Sequence, residues 1–177
     1  MYMKTAFFTF GKFSPPTLGH KLMIEEMIKK ANGSDVYIVA SESVRPENAP
    51  INVNQKLRIL REMFKNKNVK VISAKSPLNF VRSIEGNYNR VNMVVGENRI
   101  GAFNWMKKHT PKYGGSVGIA RPHGAISATA VRKSAREGKI REMKKMLNSL
   151  PQNMIDEIYK TIRSASKKRS RVARRLG

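Results

Sequence analysis

Short apolar runs alternate along this chain with stretches whose apolar residues recur every three or four positions. Residues 5–10 (TAFFTF) form a run of buried-strand type, and residues 18–31 carry their apolar side chains at helical spacing until Asn32-Gly33 stops the pattern. Residues 35–41 (DVYIVAS) predict a second strand, followed by a loop over 42–50 that holds two prolines. Asn52 or Asn54 caps the next predicted helix, where Leu57, Ile59, Leu60, Met63 and Phe64 recur at helical spacing. Residues 69–73 predict a third strand, 77–85 a short helix, and 91–95 a fourth strand ending at Gly96. A helix over 99–109 and a Gly114-Gly115 turn then lead to a fifth strand over 116–120. The remainder is helical in pattern, over 129–137, 140–147 and 151–164. Strands separated by helices indicate βαβ units, hence an α/β architecture: a five-stranded parallel sheet, helices on both faces, and a C-terminal helical extension.

Composition changes this picture in one respect. The 177 residues, 40% hydrophobic and 27% charged, suit one ordinary globular domain. No apolar run approaches the ~20 residues that span a bilayer, and the start Met-Tyr-Met-Lys lacks the parts of a signal peptide, so no membrane association is expected. With no cysteine, disulfides and thiolate metal sites are excluded and a reducing cytoplasm is the simplest location. The net charge of +23 is the unusual quantity. Residues 132–177 hold 15 Lys and Arg against 4 Asp and Glu, and residues 166–177 (SKKRSRVARRLG) hold no acid at all. Such a field draws polyanions: nucleic acid, nucleotides or pyrophosphate. The chain divides by composition into a domain over 1–150, a helix over 151–165 packing on it, and a basic, flexible tail over 166–177.

Two segments carry candidate chemistry. The first, Gly11-Lys12-Phe13-Ser14-Pro15-Pro16-Thr17-Leu18-Gly19-His20, joins the first strand to the first helix. Unpaired N–H groups at a helix start, with the helix dipole behind them, make a cradle for phosphate, and Thr17 and His20 add side-chain donors there. The second, Ile126-Ser127-Ala128-Thr129-Ala130-Val131-Arg132, opens a helix after the fifth strand.

Together these segments, G-x-F-x-P-x-T-x-G-H and I-S-x-T-x-x-R, resemble the two signatures of the nucleotidyltransferase superfamily over roughly residues 5–140, nearest to its small bacteriophage-encoded members that are nicotinamide mononucleotide adenylyltransferase-like or cytidylyltransferase-like. The resemblance implies a Rossmann-like fold and transfer of a nucleoside monophosphate, AMP in preference to CMP, from ATP or CTP to a phosphorylated acceptor such as nicotinamide mononucleotide, with release of pyrophosphate. It also implies Mg²⁺ held by substrate and water, with no protein metal site, and, for a phage-encoded chain, action in the host cytoplasm. His20 then matches the residue that stabilises the transition state. Thr17 stands where many members have histidine and others threonine, as phosphate donor, helix cap or both. Arg132 gives the triphosphate a planar set of donors. Gly11, Phe13, Gly19, Gly96, Ile126, Ser127 and Thr129 are the expected nucleotide-binding residues, Gly11 and Gly19 because a Cβ would keep the backbone from the phosphates and Gly96 to fit against the base or ribose. Lys56 and Arg45 are candidates for the acceptor phosphate, and Arg99, after the fourth strand, for a phosphate or the acceptor. Arg136 reads as a solvated charge, Trp105 as packing, and His123 as a lone turn histidine.

A reading of another class stays open beside this one. A nucleic-acid-binding or virion-associated protein that kept the fold and lost the chemistry would also carry the +23 charge and the basic tail. Homo-oligomerisation is equally open. An amino-acid-activating relative of the tRNA synthetase type is not expected, since the 177 residues are short for that domain with an anticodon module and hold no K-M-S-K-S stretch.

Overall fold

A computed structural model of the chain describes residues 3–122 and 124–176. Five parallel strands, β1 (Thr5–Gly11), β2 (Asp35–Ser41), β3 (Lys70–Ala74), β4 (Arg90–Gly96) and β5 (Tyr113–Ile119), make one sheet in the order β3-β2-β1-β4-β5. Between and after them run α1 (Leu18–Ala31), α2 (Val53–Met63), α3 (Pro77–Ile84), 3₁₀ segments at Glu85–Asn87 and Glu97–Lys108, α4 (Ala128–Arg136), α5 (Ile140–Met146) and α6 (Gln152–Leu176). The two-residue period of the strands decides which helices lie on which face. Phe8, Val39 and Met93 face α3 and the 97–108 segment through Phe80, Val81 and Met106. Ile38, Ala40 and Val94 face α1 and α2 through Ile24, Met27 and Leu60. Ile59 of α2 belongs to a further cluster with Val131, Met143, Ile155, Ile158 and Ile162, so α4, α5 and α6 pack on α2 from outside. The expected Rossmann-like α/β fold, with helices on both faces and a C-terminal helical extension, is the fold observed.

The strand order fixes where a ligand can enter. From β1 the chain winds outward through β2 to β3, then returns to place β4 on the other side of β1. The connections therefore diverge at the C-terminal ends of β1 and β4 and leave a crevice there. Gly11 and Gly96 end these two strands, and Gly96 pairs with Ile119 at the end of β5.

Three boundaries differ from the sequence reading. The Gly114-Gly115 pair lies inside β5, not in a turn before it. There Val91 pairs with Tyr113 but Asn92 with Gly115, a bulge that Gly115 permits with its φ of 106°. The helix expected over 99–109 is a 3₁₀ segment, Glu97–Lys108, starting directly from Gly96. Helix α6 continues to Leu176, past the division expected at 165, although its last buried residue is Ile162. Among the described residues, no helix is long and apolar enough to cross a membrane.

Candidate active site

Residues 12–17 turn from β1 into α1 under unusual backbone constraints. Phe13 takes a left-handed φ of 44°, strained for a residue with a side chain, and its ring is buried. A Cβ on residue 11 would stand 3.1 Å from that ring, so Gly11 makes room for Phe13. The ring also meets the His20 imidazole edge-on, centroids 4.9 Å apart. Ser14 is buried and ties this turn to two others: its Oγ accepts from the Ile51 backbone N–H at 2.9 Å, and its carbonyl accepts from Arg132 at 2.8 Å.

Thr17 is the N-cap of α1 and His20 its third helical residue. The Thr17 backbone N–H donates to His20 Nδ1 at 3.0 Å, the bond a Glu or Gln side chain makes in an ordinary capping box. Nδ1 therefore holds a lone pair, and the ring proton sits on Nε2. Burial, with help from the Arg121 charge, lowers the His20 pKa from 6.5 to about 4. At neutral pH His20 is thus an uncharged Nε2–H donor with its orientation fixed by the backbone.

The second segment meets the first at Gly19. A Cβ there would approach the Ile126 carbonyl oxygen to 3.1 Å and Ala125 Cβ to 3.3 Å, so glycine lets the two junctions touch. Ser127 caps α4 by accepting from the Ala130 backbone N–H at 3.2 Å. Arg132 is buried; its two terminal nitrogens donate to the Ser14 carbonyl and, at 3.2 Å, to Thr129 Oγ1, while its Nε has no partner among the described residues. Burial and the neighbouring Arg136 push the Arg132 pKa below its usual value.

Two cavities open at the crevice. The larger, 490 Å³, is lined by Thr17, Gly19, His20, Ile126 and Ser127 from the two motifs, by Gly96, Glu97 and Asn98 after β4, and by Ile119, Ala120 and Arg121 at the end of β5. The smaller, 260 Å³, has Gly11, Phe10, Phe13, Phe103 and Arg99 in its lining. His20, Met23 and Gly96 belong to both linings, so His20 stands in the wall between them. Arg99 is exposed and lies over the Phe103 ring, 5.2 Å from its centroid.

Four expected site residues line neither cavity. Lys56 is fully buried, its Nζ donating to the Ser41 and Ser43 carbonyls at 2.7 and 2.9 Å; burial and the charge of Lys12 lower its pKa to about 8. It closes the end of β2 and presents no free cation to an acceptor. Arg45 is exposed on a loop closed by paired backbone hydrogen bonds with Ala49. Thr129 is exposed and accepts from Arg132, and Arg132 joins α4 to the first turn through the Ser14 carbonyl. Arg136, expected in solvent, donates to the Pro46 carbonyl at 3.0 Å and to that of Glu47. Trp105 is exposed against His109, and His123 lies outside the described residues. Arg121 was missed from sequence; its signal is its place between the end of β5 and the second motif. Among the described residues no group of three or more His, Asp or Glu gathers as a metal site, and Glu97 is the sole carboxylate lining the larger cavity.

The profile of the cytidylyltransferase-like family matches residues 8–171, and the chain belongs to that family. This agrees with the resemblance carried by the two motifs. No curated protein matches the chain by sequence. Among solved structures, a bifunctional NMN adenylyltransferase/ADP ribose pyrophosphatase from Francisella tularensis, complexed with AMP and Mn ion, is similar with a TM-score of 0.64 at 14% identity. That match covers 99% of this chain and 56% of the other, so the chain spans little more than half the bifunctional protein. Plasmodium falciparum nicotinic acid mononucleotide adenylyltransferase complexed with APC is similar with a TM-score of 0.60 at 16% identity, covering 89% of this chain and 95% of that one. The same enzyme complexed with NaAD gives 0.59. At such identities the likeness is one of fold.

Proposed function

We propose that this protein is a nucleotidyltransferase that moves AMP from ATP to the phosphate of nicotinamide mononucleotide and releases pyrophosphate. The observation that carries the reading is His20: a neutral donor, locked by the backbone, in the wall between two adjoining cavities. The triphosphate occupies the larger cavity, with its phosphates against the start of α1, Ser127 and Arg121. The acceptor ring occupies the smaller one among Phe10, Phe13 and Phe103, near Arg99. An acceptor phosphate oxygen attacks the α-phosphorus; one P–O bond forms, the bond to the β-phosphate oxygen breaks, and pyrophosphate leaves with its electron pair. His20 Nε2–H donates to the oxygen on which negative charge builds, at no cost in reorganisation. The rest of the acceleration comes from alignment of the two reactants. Arg132 acts as a positioning residue, holding the first turn to α4. Glu97 is the one carboxylate in the lining, so Mg²⁺ would be held mainly by the triphosphate and water, where it would neutralise charge on the phosphate oxygens.

These assignments are supported by the family match, by neighbours whose names include NMN and nicotinic acid mononucleotide adenylyltransferases, and by the cavity linings. The family's description also favours a second donor, CTP. The experiment is incubation of the purified protein with each α-labelled triphosphate, Mg²⁺ and a panel of acceptors: nicotinamide mononucleotide, phosphopantetheine, flavin mononucleotide, and sugar and alcohol phosphates. Pyrophosphate release with ATP and nicotinamide mononucleotide is expected. Release with CTP in place of ATP transfers the reading to cytidylyl transfer, and no release with any pair overturns it.

A further inference from the structure

The active-site reading leaves most of the +23 charge without a task, and α6 concentrates it. The two acids of this helix, Asp156 and Glu157, lie near its start and are both paired, to Lys144 at 3.9 Å and to Arg58 at 2.5 Å. After Glu157 the helix carries eight Lys and Arg and no acid. Five of them, Lys160, Arg163, Lys167, Arg171 and Arg174, recur at spacings of three and four and so share one stripe. At ~100° per residue the stripe lies opposite Ile155, Ile158 and Ile162, which fix α6 to the core. All but Arg163 are exposed, and Arg163 is part-buried against the Arg136 carbonyl. Beside the stripe runs a groove of 400 Å³ between the 44–55 segment and α6, with Lys160 and Lys168 on its rim and no carboxylate in its lining.

We propose that this stripe is a binding surface for double-stranded DNA, read through its phosphates without regard to sequence. From Lys160 to Arg174 the stripe spans about 21 Å, a straight row of charge on a rod about 10–12 Å across that a major groove about 12 Å wide admits. The deep, narrow major groove of duplex RNA does not admit such a helix. Single strands are held largely by stacking on aromatic rings, and after Tyr159 the helix has none. It also has no Asn or Gln there to read base edges, so phosphate contacts carry the affinity. The surface lies on a different element from the cavities and does not depend on the transfer reaction.

The test is fluorescence anisotropy of a labelled DNA duplex of about 25 base pairs with the full chain, between about 50 and 200 mM salt. Phosphate contacts from the four exposed members of the stripe give a log–log slope of about −3.6. The variant Lys167→Gln/Arg171→Gln/Arg174→Gln keeps good helix formers at exposed positions and should flatten the slope by about 2.7 units. A control with equal charge loss elsewhere, Lys30→Gln/Lys67→Gln/Lys75→Gln, should change the slope by less than about 1 unit. The proposal is overturned if the two variants bind alike, if the stripe variant binds as the parent does, or if single-stranded DNA or duplex RNA of equal length binds more tightly than duplex DNA.

Discussion

The C-terminal edge of the sheet is open on one side and closed on the other, although each side holds a base whose pKa burial has lowered. At β1, β4 and β5 the edge opens into two cavities with His20 between them. At β2 the 42–52 loop folds over the strand end, and Lys56 beneath it bonds the Ser41 and Ser43 carbonyls. The difference lies in which atoms the backbone uses. His20 gives its acceptor, Nδ1, to the Thr17 N–H and keeps its donor, whereas Lys56 spends its donors on carbonyls. Of these two desolvated bases, only His20 is left by its local hydrogen bonding with a donor for a ligand.

The largest effect that separates the two sides is expected for His20→Ala. Loss of one preorganised donor should lower kcat about 10²–10³-fold in a pyrophosphate-release assay, with KM for ATP little changed. An equal kcat loss in Lys56→Met would erase the contrast. Lys56→Met should act on stability instead, costing about 1–3 kcal/mol by urea unfolding as two buried carbonyls lose their partner. A tenfold rise in acceptor KM at unchanged stability would restore Lys56 to the acceptor site. A smaller effect is expected for Arg121→Ala: KM for ATP should rise about 5–10-fold, the net worth of about one hydrogen bond from an exposed side chain. The same change removes a like charge near His20, so the His20 pKa should move upward from about 4. The smallest effect concerns stability against pH. Between 6.5 and about 4 the unfolded chain binds a proton at His20 that the native chain refuses, so stability falls as pH drops through that window. That part of the slope should vanish in His20→Ala.

Periodicity made the five strands, most of the helices and both junctions legible, because a parallel sheet buries its strands on both faces and leaves near-continuous apolar runs. The bulge at Gly114-Gly115 was not legible, since a glycine pair before a strand has the composition of a turn. At the site, sequence located the loops but not the direction of their side chains. Lys56 follows the N-cap Asn52 by four residues, a position equally suited to facing an acceptor or the end of β2, and only packing separates the two. Gly11 and Gly19 were expected to let phosphates approach the backbone; in the structure a Cβ there would meet the Phe13 ring and the Ile126 carbonyl respectively. Arg132 was expected at the triphosphate because it matches the second signature; in the structure its terminal nitrogens donate to the Ser14 carbonyl and Thr129 Oγ1.

The most direct test is the charge state of the His20 imidazole, followed by ¹⁵N NMR from pH 8 downward. A neutral ring with its proton on Nε2, and no titration until the pH nears about 4, is expected. A proton on Nδ1, or a midpoint near the ordinary 6.5, would contradict it.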